Sequence, residues 1–247
     1  MEPGRAGAAH HLRHRPLPGL PGPGRGRGGR GPHRPRLRRR PGAPGRPGPL
    51  GGDPVTVTVA GLVLASPVLV ASGCAGTGRE LAGYAPLSTY GAVVTRSITR
   101  DPRPGAQVPS IAETPAGLVH ATGLPNPGLD GFLATELPWL LTEGARVVVS
   151  VVARELGEYA EVARRLATAP GVSAVEVNLA QPDAVAAGVL DVREPFHVGA
   201  AVSAVLRELP RGVPVLAKLR PDTVRVAEAV KVAADAGAAA VVLGGAL

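Results

Sequence analysis

From Pro67 onward the chain repeats one phrase, a short continuous apolar run followed by a more polar stretch. The runs are PVLVASG (Pro67 to Gly73), GAVVTRSIT (Gly91 to Thr99), RVVVSVVA (Arg146 to Ala153), SAVEVNLA (Ser173 to Ala180), VPVLAKL (Val213 to Leu219) and AAVVLGG (Ala239 to Gly245). Apolarity that is continuous rather than alternating predicts strands covered on both faces. Helical periodicity fills the gaps: Leu156, Tyr159, Val162, Ala163 and Leu166 within Glu155 to Ala169, and Val226, Ala229, Val230 and Ala233 within Thr223 to Ala236. Upstream, VTVAGLVLASP alternates around Gly61 and predicts a short hairpin. Buried strands alternating with amphipathic helices predict an α/β protein with a parallel sheet, either open and doubly wound or closed as a (β/α)8 barrel of the TIM type.

Polar residues at the ends of the runs favour the barrel. Ser72, the pair Arg96 and Ser97, Asn178 and Lys218 close four different apolar runs, and polar residues contributed by each of many strands are how a barrel builds its rim. An open sheet would gather its ligand chemistry at one switch point, usually behind a GxGxxG turn, and GCAGTG (Gly73 to Gly78) only approximates that fingerprint. In SAVEVNLAQPD the strand period puts Glu176 and Asn178 on one face between Val175 and Val177. A carboxylate and an amide there predict the wall of a polar or ligand-filled cavity; a strand end with a satisfied polar pair is the plainer alternative. Six runs supply about six of a barrel's eight strands, and a closed barrel takes about 250 residues, so the ordered part is expected to be an incomplete barrel.

Composition divides the chain at about residue 50. Residues 1–50 hold 12 Arg, 11 Pro and 12 Gly with a single acid, Glu2, and carry +11 of charge against −3 for the remainder. Without aromatic residues this segment cannot offset its chain entropy and is predicted to be a disordered tail, with residues 51–247 as the barrel. It has neither the apolar core of a secretory signal nor the amphipathic helix of a mitochondrial one. Its GRGRGGRG would attract phosphates, but base stacking is missing, so nucleic-acid binding is a minor alternative and an inert extension the plainer reading. One cysteine, Cys74, excludes an internal disulfide and a cysteine-rich zinc site. No apolar run reaches the ~18 residues of a membrane span, and a soluble, cytoplasmic protein is expected.

In the order of its motifs the body resembles the dihydroorotate dehydrogenases, particularly their cytosolic class 1 type: ASG at Ala71 to Gly73, VVTRSIT at Val93 to Thr99, PRPG at Pro102 to Gly105, Glu113 and Thr114, GLPNPG at Gly123 to Gly128, VNLAQPD at Val177 to Asp183, and KLRPD at Lys218 to Asp222. The resemblance implies an FMN-dependent (β/α)8 barrel that oxidises dihydroorotate to orotate in pyrimidine synthesis, and leaves a homodimer open. It implies flavin contacts from Ala71, Ser72, Gly73, Arg96, Asn178 and Lys218, the lysine stabilising the reduced flavin. It implies substrate contacts from His120, Gly123, Leu124, Asn126 and Asp183.

The chain departs from the family where the chemistry is most demanding. The family's base, a cysteine in class 1 and a serine in class 2, is replaced by Gln181, which cannot take a proton near neutral pH. His120 and Asp183 stand where the family has asparagines, Arg96 where it has a lysine, and Gly245 and Ala246 where it has Asn-Thr. The glycine-rich phosphate loops after strands seven and eight have no counterpart among the six runs. Dihydroorotate is therefore expected to be oxidised poorly or not at all, with an inactive barrel or a flavoprotein of other specificity as alternatives. Cys74 reads as a small packed residue, His197 as a solvated helix position, and His120 as the one body histidine near the site.

Overall fold

A computed structural model describes residues 55–180 and 194–245; the arginine-rich tail, Gln181, Asp183 and Ala246 lie outside the described residues. The first element is the hairpin β1 (Val57–Val59) and β2 (Leu62–Leu64), turned at Ala60 and Gly61, both at positive φ (52° and 78°). That pair of left-handed residues is the turn whose twist matches two antiparallel strands. The run from Pro67 contributes only the two-residue β3 (Leu69–Val70), followed by the single helical turn α1 (Arg79–Ala82) and then β4 (Ala92–Val94).

Between β4 and the next sheet strand lies an excursion that apolar patterning did not predict. An exposed hairpin, β5 (Ile111–Thr114) and β6 (Gly117–His120), precedes α2 (Gly128–Gly131), a π-helical stretch (Phe132–Glu136) and α3 (Leu137–Thr142), which run on as one helix. The predicted alternation then resumes: β7 (Val147–Val151), α4 (Leu156–Leu166), β8 (Val172–Asn178), α5 (Pro195–Leu206), β9 (Val215–Leu219), α6 (Val226–Asp235) and β10 (Ala240–Leu243). Among the described residues no helix is long and apolar enough to cross a membrane.

The six sheet strands lie in the order β10-β9-β8-β7-β4-β3, all parallel, each beside its predecessor in the sheet. The order never reverses, so there is no switch point; the sheet curls as half of a (β/α)8 barrel and the doubly wound alternative is set aside. Alternate residues face two cores. Val147, Val149, Val151, Val175, Val177, Val215 and Ala217 face the helices, meeting Leu140, Tyr159, Val162, Val198 and Val202. Gly199 is where α5 crosses α6 most closely, since a Cβ there would come within 2.7 Å of Val232.

The opposite, inner face begins apolar, with Ala92, Val94, Val148, Ala174 and Leu216 packed against Ala60 and Leu62 of the β1–β2 hairpin. That hairpin plugs the end of the half-barrel at which the strands begin. Toward the strands' C-terminal ends the same face becomes polar.

Candidate functional site

The inner face of β7, β8 and β9 reads, from its plugged end outward, Val148 then Ser150, Ala174 then Glu176 then Asn178, and Leu216 then Lys218. Asn178 and Lys218 are cross-strand partners. All four polar residues are buried, Ser150 at 0%, Glu176 and Asn178 at 2% and Lys218 at 7% exposure, so each needs a partner or a ligand.

Ser97 reaches this wall through an irregularity after β4. Val94 pairs with Val148, whereas Ile98 pairs with Val151, so one strand spends an extra residue between the two pairs. Such a bulge reverses the alternation of side chains. Ile98 accordingly joins the helix-side core and Ser97 turns inward. Thr95 fills the gap, its Oγ1 accepting the Ser150 backbone N–H at 3.1 Å.

A chain of hydrogen bonds then crosses the wall. Asn178 Nδ2 donates to Ser97 Oγ (2.7 Å), Ser97 and Ser150 meet through their hydroxyls (3.0 Å), and Ser150 donates to Glu176 Oε1 (2.9 Å). The Ala180 backbone N–H donates to Asn178 Oδ1 at 3.1 Å. Burial pushes the Glu176 carboxyl above its ordinary range, against the opposing pull of the Lys218 ammonium and the Ser150 hydrogen bond.

The loops above the wall carry the other predicted positions. Ala71 to Gly73 form a turn closed by the Cys74 N–H on the Ala71 carbonyl (3.1 Å); Gly73 has φ 86°, and nothing lies within 4 Å of where its Cβ would be. Cys74 is exposed, not packed as expected from sequence. In the GLPNPG loop Gly123 and Leu124 are both left-handed, at φ 67° and 53°. A Cβ on Gly123 would meet the Ala106 nitrogen at 2.6 Å, so only glycine fits.

Asn126 is fully engaged within the protein. Its Oδ1 accepts from the backbone N–H groups of Thr99 (3.2 Å) and Gly128 (3.0 Å), and its Nδ2 donates to Leu124 O (2.9 Å) and Thr99 Oγ1 (3.0 Å). It clamps the loop to the strand end. Arg96 donates to the Pro125 carbonyl at 3.1 Å and faces Glu136, whose carboxyl is pushed up by burial against the pull of Arg96 and Arg79. His120 ends β6 on the exposed hairpin, opposite Ile111. His197 lies in α5 with its ring 5.8 Å from that of Phe196.

Beside these loops a cleft of about 280 Å³ is lined by Thr99, Arg103, Leu124, Arg154 and Glu158 among others. It shares only Leu124 with the predicted positions and contains none of the inner-wall residues. Among the described residues no cluster of His, Cys, Asp or Glu could hold a metal ion.

Ser150, the centre of the hydrogen-bond chain, was not singled out by the sequence reading, although it is the one polar residue in VVVSV and shares the strand parity of Val148. Together these features define a parallel α/β half-barrel with its polar groups gathered at the C-terminal ends of its strands. The dihydroorotate dehydrogenase family model matches residues 54–243, and the chain belongs to that family. Three similar proteins, each named dihydroorotate dehydrogenase B (NAD(+)), catalytic subunit, come from Desulforudis audaxviator, Pelobacter propionicus and Geobacillus sp. strain WCH70. They are 42%, 39% and 38% identical over 76%, 76% and 74% of this chain. The aligned parts are 60%, 62% and 58% of those proteins, so the chain spans about three fifths of their length.

Proposed function

We propose that this chain is the FMN-binding portion of an oxidoreductase acting on a CH–CH bond of dihydroorotate or a similar ring. The observation that carries the reading is the buried cross-strand pair of Asn178 and Lys218 on the polar inner wall, joined to Ser97 at the same rim. Family membership and the names of the relatives support it.

The residues present suit the ring end of a flavin. Lys218 offers a buried cation, Asn178 an amide, and Gly73 a stretch of backbone with no side chain to hinder close approach. When bound, FMN supplies a two-electron acceptor for hydride from the substrate. Lys218 holds positive charge where the flavin ring would lie, and the Ala71–Gly73 turn presents backbone to it. Asn126 acts indirectly, fixing Leu124 and Gly128 of the loop over the strand end. Gln181 occupies the position of the family's base, and loss of a general base costs about 10² to 10⁴ in rate. The relatives' designation as an NAD(+)-linked catalytic subunit supports a separate subunit that carries electrons onward.

The test is to purify the full chain, record its flavin absorbance with and without added FMN, and add dihydroorotate without oxygen. Yellow protein that bleaches slowly, and bleaches at least about 10²-fold faster as Gln181→Cys, is the expected result. Colourless protein that takes up no FMN overturns the reading; yellow protein that neither form of the chain bleaches with dihydroorotate points to another substrate.

A further inference from the structure

We propose that Glu176 is a positioning residue for Asn178: through Ser150 its carboxylate gives a hydrogen-bond chain a single direction and keeps Ser97 free to accept from the Asn178 amide, which is thereby held in place for a ligand. This rests on the reading of the inner wall as a flavin site.

The direction follows from the valence of each group. A backbone N–H can only donate, so the Ala180 contact fixes which end of the Asn178 amide is oxygen. The other end, Nδ2, can then only donate, and Ser97 Oγ must accept it. At the far end an ionised carboxylate can only accept, so Ser150 must give its hydroxyl proton to Glu176. Ser150 is left with a lone pair for Ser97, and the either-way contact between the two serines takes one sense, Ser97 donating. Every proton runs from Asn178 toward Glu176. One Nδ2 proton of Asn178 is committed to Ser97; the second is left for a ligand beside Lys218.

Nothing in this arrangement requires a charge merely to fill space. A neutral amide at position 176 could also accept from Ser150, and burying it would cost less than burying a carboxylate. An amide could equally present its NH₂, which would reverse Ser150 and set its hydroxyl against Asn178 Nδ2 as a second donor to Ser97. The carboxylate removes that ambiguity, and aligned hydrogen bonds of this kind polarise one another.

A double-mutant cycle read on Asn178 itself tests the proposal. The side-chain amide resonances of Asn178, assigned by their loss in Asn178→Asp, are followed by ¹⁵N NMR in the full chain, without added cofactor. Glu176→Gln is expected to displace them when Ser150 is present and to have no further effect in Ser150→Ala. Ser97→Ala, which cuts the next link, is expected to abolish the response as well and serves if Ser150→Ala does not fold. A displacement of equal size in both backgrounds would mean that only the field of the carboxylate is felt, and would overturn the proposal, as would no displacement at all. FMN titration by fluorescence supplies the ligand arm: Glu176→Gln should weaken binding about tenfold, the loss of roughly one oriented hydrogen bond. Unchanged affinity in that variant overturns the proposal. Wild-type protein that binds no FMN removes the proposed function, while the cycle on Asn178 still judges the chain from Glu176.

Discussion

Glu176 is more readily protonated in the folded chain than in the unfolded one, chiefly because it is buried. A group whose folded pKa is raised adds stability that is complete below its unfolded pKa, about 4.3, and fades as the pH rises through the folded value. Urea unfolding of wild type and Glu176→Gln should therefore show wild type losing ground to the variant as the pH climbs from about 4.3; a difference that stays constant, or grows in favour of wild type, would refute the sign. Tyr159 offers a second check. Its ring is 1% exposed, and the hydroxyl lies near the Ala153 backbone without completing a hydrogen bond to any described group. An unsatisfied buried hydroxyl costs about 1–3 kcal/mol, so Tyr159→Phe should be at least as stable as wild type. A loss of more than about 1 kcal/mol in thermal or urea unfolding would instead mean that the hydroxyl has a partner worth a hydrogen bond.

The β1–β2 turn sets an expectation at the level of one element. Ala60 sits at φ 52°, a conformation that costs a residue with a Cβ roughly 1–2 kcal/mol. Ala60→Asn, giving Asn-Gly at the turn, relieves part of that cost while giving up the apolar contact of Ala60 with the inner face, so it should change stability by less than about 1 kcal/mol; calorimetry that finds a larger loss would mean the turn is not held in this form. The hairpin was legible in the sequence because its alternation and Gly61 agree on one structure. The bulge after β4 was not. Alternation through Ala92 and Val94 continues to Arg96, yet the extra residue turns Ser97 inward and sends Arg96 to Pro125. A bulge depends on the register of the neighbouring strand, and a single strand's sequence carries no record of that. The β5–β6 hairpin escaped notice because all eight of its residues are exposed, leaving no buried face to imprint a pattern. Glu176 and Asn178 could be paired from sequence because two residues on one strand need only the period of two; their link through Ser97 and Ser150 required the sheet.

For the whole molecule, the sequential order of the six parallel strands could be read from the repeated run-and-helix phrase, and the strand-end polar residues told the half-barrel from the open sheet. The plug is a different matter, since Ala60 and Leu62 meet Ala92, Val94, Val148, Ala174 and Leu216, contacts that reach across most of the described chain. Long-range contacts of this kind form late, after the entropy of closing the intervening chain has been met. Hydrogen exchange should find the β1–β2 amides opening well below the free energy that protects β7 and β8; equal protection would mean plug and sheet open together. During synthesis the consequence becomes one of timing. The hairpin leaves the ribosome before β4, β7, β8 and β9 exist, so the first described segment to be made has to wait, its Leu62 and Leu64 uncovered, until the strands that form its seat have been translated.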